Sequence, residues 1–178
     1  MKVEKLNIKE LLTERLILMP FTLQICRNLL DNDFSDLDKM GLVKGKNWPD
    51  DDVIETLPKI MNNLSRLEAP TGFESWMIIK KESLEVIGDA GFKGFNFQKE
   101  NADIGYGIIK EERRKGYAEE ALRALLNWAF SNKIVKEITA NCSLDNTGSA
   151  RLLEKLHFME IFKDDEMVYW SLQNKLFR

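Results

Sequence analysis

Residues 104–121 read "IGYGIIKEERRKGYAEEA", and the fold turns on how this stretch changes character. Ile104 to Ile109 alternates branched residues with glycine and tyrosine as a strand does. Arg113, Arg114 and Lys115 follow, and Gly116 opens a helix over Tyr117 to Asn132 with Ala118, Ala121, Leu122, Leu125, Ala129 and Phe130 along one face. The first N–H groups of a helix lack internal partners, and aligned peptide dipoles place partial positive charge there. Gly116 and the small Ala118 let backbone approach an anion, and the three cations add full charge. Residue types alone leave two readings open: a solvated basic turn, or a cradle for a phosphate-bearing group. No Gly-Lys-Ser/Thr ending marks a nucleotide P-loop, and no G-x-G-x-x-G marks a dinucleotide site.

Upstream, "RLILMP" (Arg15 to Pro20) reads as an opening strand, followed by a helix that Thr22 caps. "GLVKGKNWPDDD" reads as a loop, and Asp51 to Leu67 as a second helix. "SWMIIK", "EVIGDAGFKGF" and "ADIGYGII" read as three consecutive antiparallel strands. After the long helix come a strand "KEITANCS", a helix opening near "DNTGS", and two strands, "FMEIFK" and "EMVYWSL". Helices interleaved with a mostly antiparallel sheet make the class α+β on one core, and the 178 residues, with no repeat and no linker, read as one domain.

The composition limits function. Net charge is −3 with both signs intermixed, which argues against nucleic acid as a partner. No apolar run approaches the roughly 20 residues that span a bilayer, so no membrane partner is expected and the cytoplasm is the expected compartment. Cys26 and Cys142 form no paired motif, and His157 is the single histidine, so no metal is expected.

Two separated motifs resemble the GNAT N-acetyltransferases. Ile108, Arg113, Gly116 and Ala118 match the family's V/I-x-x-x-x-Q/R-x-x-G-x-G/A, which binds the pyrophosphate of acetyl-coenzyme A, and "NTGSARLLEKLHF" (Asn146 to Phe158) is similar to the second motif, N-x-x-A/S-x-x-L-x-E-K-x-G-F. "ERLIL", "VIGDAGFKGF" and the opening stretch resemble the ribosomal-protein N-terminal acetyltransferase (RimJ/RimL) branch. The likeness covers nearly all of Glu14 to Leu172. It implies a GNAT fold: a V-shaped central sheet of about seven strands with about four helices, in which "ADIGYGII" parts from "KEITANC" to leave a slot for the pantetheine arm. Gly105 and Gly107 within one strand agree with a bulge or close backbone approach there, or with room for neighbours such as Tyr106.

The resemblance further implies acetyl-coenzyme A as co-substrate and an amine acceptor, a protein N-terminus or a small molecule, that attacks it directly; a homodimer is compatible with it. It assigns cofactor binding to Ile108, whose backbone N–H is the implied oxyanion donor, to Arg113, Arg114, Lys115, Gly116, Tyr117 and Ala118 in the turn, and to Asn146, which also suits a helix cap. Asp103 matches the position of a catalytic glutamate, one methylene shorter, and reads equally as an exposed strand residue. Ser149 is the candidate acid, or a first-turn residue bonded to a cap, because Leu153 occupies the place of the family's usual tyrosine. His157 replaces a glycine at a helix end that favours left-handed backbone, and reads as a tolerated turn residue. Cys142 reads as core. "NWPDDD" either draws a cationic amine or simply starts a helix, the reading preferred; Trp48, Phe73 and Trp76 line the acceptor pocket or fill the core. The alternative function is an acyl-coenzyme A binder of the same fold without catalysis.

Overall fold

In the computed structural model, which describes residues 9–68 and 70–176, the elements run β1 (Leu11–Leu12), β2 (Leu16–Pro20), α1 (Leu23–Leu30), α2 (Ser35–Lys39), β3 (Val43–Lys44), α3 (Asp51–Ser65), β4 (Ser75–Lys80), β5 (Glu85–Asn96), β6 (Asn101–Ile108), α4 (Tyr117–Ser131), β7 (Glu137–Ser143), α5 (Thr147–Lys155), β8 (Met159–Lys163) and β9 (Met167–Gln173). Every expected element of the sequence is present. Among the described residues the sheet has nine strands in place of about seven. The additional ones are two-residue pieces, too short for alternation to register: β1 pairs with β2, and β3 docks parallel to β5 through Val43↔Glu85. The five-residue α2, with only Leu37 buried, is the additional helix.

The sheet order is β1-β2-β4-β5-β6-β7-β9-β8, with β4, β5 and β6 antiparallel as expected. Buried residues form one cluster. Trp48, Phe73 and Trp76 belong to it, each fully buried, so all three are core. Phe73, Phe92 and Trp128 pack with centroids 4.9–6.1 Å apart, which pins α4 to β5. Alternation along β5 then assigns the faces: Phe92 points to α4, whereas Asp89 and Gly91 point to the opposite face, under α3.

The decisive feature lies between β6 and β7. These strands run parallel and pair only over Asn101–Asp103 and Glu137–Thr139. Beyond Asp103, β6 stays with β5 to Ile108 and β7 stays with β9 to Ser143, so the sheet opens as a V. No helix among the described residues is long and apolar enough to cross a membrane.

Candidate active site

The open edge of β6 is a consequence of ladder phase. Ile109 donates its N–H to the carbonyl of Ile87, so that pair is hydrogen-bonded. In an antiparallel ladder the next pair, Gly88↔Ile108, is not, and the N–H and C=O of Ile108 point away from β5. The same phase turns the backbone of Tyr106 and Ile104 toward the split, where no strand of β7 stands opposite. The Ile108 carbonyl is taken by Arg113, whose Nε donates to it at 2.7 Å. The Ile108 N–H is left facing the opening.

The split leads to the start of α4. The first turns of α1, α3 and α5 are capped by the side chains of Thr22, Asp50 and Asn146; α4 begins at Gly116 with φ +83° and no side-chain cap. Its first-turn N–H groups therefore stay available beside Arg114 and Lys115, both exposed. Glu119 and Glu120 stand in that same turn and would repel an anion, but both are neutralised. Lys155 and Arg123 hold Glu119. Burial pushes the Glu120 carboxyl up, yet the Thr13 hydroxyl, the Arg15 N–H and the Arg15 guanidinium together hold it below the usual carboxylate range. Arg15 also donates Nη1 to the Lys115 carbonyl at 3.0 Å and lies 4.6 Å above the Tyr117 ring. It braces the turn from outside. Sequence reading missed Arg15, because its partner lies 105 residues away.

Asp103 sits at the apex of the V. Its carboxylate is ion-paired with Lys93 and accepts a hydrogen bond from Thr139 Oγ1 at 2.9 Å. It faces a depression of about 500 Å³ at the β5–β6 hairpin. A separate cavity of about 310 Å³ lies under the start of α3, and its walls include Asp50, Asp52, Asp89 and Tyr106 but not Asp103. Asn146 caps α5, its Oδ1 accepting from the Ser149 N–H at 3.0 Å; the plain capping reading is thus observed, and its amide nitrogen makes no hydrogen bond among the described residues. Leu153 is buried. A tyrosine nevertheless approaches Ser149, from β6. The Tyr106 hydroxyl is buried with no hydrogen bond of standard geometry, and lies near enough to Ser149 to feel it: burial pushes the phenol pKa up and Ser149 partly offsets this. A phenol raised above 10 stays protonated at neutral pH.

His157 adopts φ +67° just past α5. Phe158 N–H reaches the Leu153 carbonyl and His157 N–H the Glu154 carbonyl, the double bond pattern of a left-handed helix stop, with Leu153 and Phe158 both buried. Cys142 is buried at the end of β7, as expected. Among the described residues no group of His, Cys, Asp and Glu is arranged to hold a metal.

The family model described as an acetyltransferase (GNAT) domain matches residues 15–159. The chain belongs to the GNAT acetyltransferase family. The uncharacterized N-acetyltransferase YjdG of Bacillus subtilis is 36% identical over 163 residues, 92% of this chain and 97% of that protein. Among solved structures, the ribosomal L7/L12 alpha-N-protein acetyltransferase RimL in complex with coenzyme A aligns with a TM-score of 0.67 at 15% identity, covering 92% of this chain and 97% of that one. The ribosomal-protein-S5-alanine acetyltransferase from Vibrio fischeri aligns with a TM-score of 0.65 at 14% identity, covering 95% and 98%. These structures share the fold of this GNAT chain, an acyltransferase with its sheet split between β6 and β7.

Proposed function

We propose that the protein transfers an acetyl group from acetyl-coenzyme A to a primary amine, in the manner of the RimJ/RimL branch. One observation carries the reading: an unpaired β6 edge runs along the split toward a helix start that no side chain caps. The first-turn N–H groups of Tyr117 and Ala118, with Gly116, Arg114 and Lys115, suit a diphosphate. The outward backbone of Ile104 and Tyr106 suits an amide-bearing arm, and the free amide nitrogen of Asn146 suits its carbonyl. The Ile108 N–H then polarises the thioester carbonyl and holds the negative charge that develops on its oxygen. Arg113, bonded to the Ile108 carbonyl, holds the next peptide unit, on the far side of the same Cα.

As the carbon–sulfur bond breaks, sulfur needs a proton or a donor. Ser149 and the protonated Tyr106 stand on the two sides of the split and fill this role together, which replaces the tyrosine that Leu153 cannot supply. Asp103, held by Lys93 and Thr139, fixes the apex where the strands part; to act as base it would first have to leave Lys93.

Calorimetric titration with acetyl-coenzyme A, followed by thiol release on a panel of small amines and peptide N-termini, tests this. Binding and amine-dependent release are expected. Gly116→Asp places a Cβ 3.2 Å from Arg15 Nη2 at positive φ and sets a carboxylate among the free N–H groups, and should weaken binding at least ~10-fold, about 1.4 kcal/mol. Unchanged affinity in that variant would remove the phosphate assignment, and binding without release on any amine would leave only an acyl-coenzyme A binder.

A further inference from the structure

One carboxylate in the smaller cavity is used by none of this. Asp89 lies on β5 between Met77 of β4 and Gly107 of β6. Gly107 offers it no side chain: a Cβ there would stand 3.9 Å from Asp89 Oδ1, in open contact. Among the described residues Asp89 makes no hydrogen bond and no ion pair; it lies between the sheet and α3, part-buried, with its remaining surface open to the cavity. A carboxylate so placed is costly unless a cation completes it.

The charged groups around it are accounted for. Asp50 and Asp52 act on it from the cap and the first turn of α3, and Asp50 also accepts from the Val53 N–H. Lys59, further along α3, is exposed at the cavity's rim. Lys93 on the same strand is paired with Asp103, and Arg113 beyond β6 is bonded to the Ile108 carbonyl. Tyr106 is neutral. Asp89 is therefore the unpaired carboxylate of a cavity of about 310 Å³ lined by charges of both signs, a size that admits a small amine or a single extended side chain. The cavity adjoins Ile108, so an amine held by Asp89 is next to the N–H that faces the split.

We propose that Asp89 is the carboxylate that receives the acceptor's ammonium in this cavity and removes its proton. This rests on the acetyl-transfer reading above. The acceptor enters as R–NH3+, and Asp89 accepts one proton, which frees the nitrogen lone pair to bond the carbonyl carbon. When the carbon–sulfur bond breaks, sulfur keeps its electron pair and gains the second proton lost by nitrogen. Asp89 then returns its proton to water at the cavity mouth, so one proton is released per turnover. Burial, with repulsion from Asp50 and Asp52, pushes the Asp89 carboxyl up to about 7. A base titrating there is matched to an amine of pKa about 8 to 10.4 far better than an ordinary aspartate is.

The test compares wild type with Asp89→Asn, Asp89→Glu and Asp103→Asn, measuring acetyl-coenzyme A affinity, and kcat and KM for small primary amines from about pH 5.5 to about pH 9.5. Asp89→Asn should bind acetyl-coenzyme A within about 2-fold of wild type, lose about 100-fold or more in kcat/KM and lose the acidic limb of the kcat profile near pH 7, with Asp89→Glu recovering part of both. An active wild type whose Asp89→Asn variant retains rate and limb overturns the role of Asp89 and leaves acetyl transfer standing. Loss of the limb in Asp103→Asn alone does the same. A wild type that releases no thiol with any amine overturns acetyl transfer itself, and Asp89's role with it.

Discussion

His157 shows what a single residue costs when backbone geometry is set by its neighbours. Its φ of +67° is imposed by the two hydrogen bonds that close α5 and by the burial of Leu153 and Phe158 on either side. A side chain with a Cβ is strained there and glycine is not. His157→Gly should therefore raise stability by about 0.5–1 kcal/mol, seen as a thermal midpoint higher by about 1–4 °C, with acetyl-coenzyme A affinity unchanged. A lower midpoint would show that the imidazole makes a contact worth more than the strain. This residue was readable from sequence, as was Asn146, because a helix stop and a helix cap are written within a few residues. Asp89, Tyr106 and Arg15 were not. Their meaning comes from Asp50, Ser149 and Glu120, which chain topology brings close from tens of residues away, and "VIGDAGF" by itself reads as one more strand.

At the scale of elements, the start of α4 works only if the turn before it holds still. Arg114 and Gly116 both have positive φ, and the Lys115 carbonyl between them is held by Arg15. Arg15→Ala removes that bond, the ion pair to Glu120 and the contact over Tyr117, while the backbone N–H of residue 15 still reaches Glu120. The side chain is 44% exposed, so solvent screens the pair and the stability lost should stay near ~1 kcal/mol or less. On the proposed phosphate assignment, affinity for acetyl-coenzyme A should fall several-fold, because Glu120 regains an uncompensated charge beside the uncapped N–H groups of α4 and the turn loses its brace. Calorimetry alongside a thermal melt separates the two, and equal affinity would mean that the turn is rigid without Arg15. The basic turn and its helix were plain in residues 113–118. The strand that braces them was also plain, as "ERLIL", but sequence does not say that sheet order sets Arg15 against α4.

At the scale of the whole molecule, the sheet splits between β6 and β7 and Asp89 stands unpaired in a cavity under α3, the two places proposed above for the two substrates, and the unpaired carboxylate should lower stability in a pH-dependent way. In the unfolded chain Asp89 titrates near 3.8, and in the folded chain its carboxyl is pushed up to about 7. Below the lower value the group is neutral in both states and has no effect. As pH rises from there through about 7, the unfolded chain loses the proton readily while the folded one must either keep it or hold an unpaired charge, so stability contributed by the protonated form is lost and the deficit levels off above about 7. Asp89→Asn removes the titration and keeps the shape. Its thermal midpoint should match that of wild type near pH 4 and exceed it by several degrees at pH 8, a gain of ~1–4 kcal/mol, in the variant expected to be nearly inactive. Every other titrating group is common to both proteins, so the difference between the two curves isolates residue 89. A gap that stayed constant across pH would mean the carboxyl titrates normally, and a gap of the opposite sign would mean that Asp89 has a cationic partner within the folded chain, which would occupy the place assigned to the acceptor's ammonium.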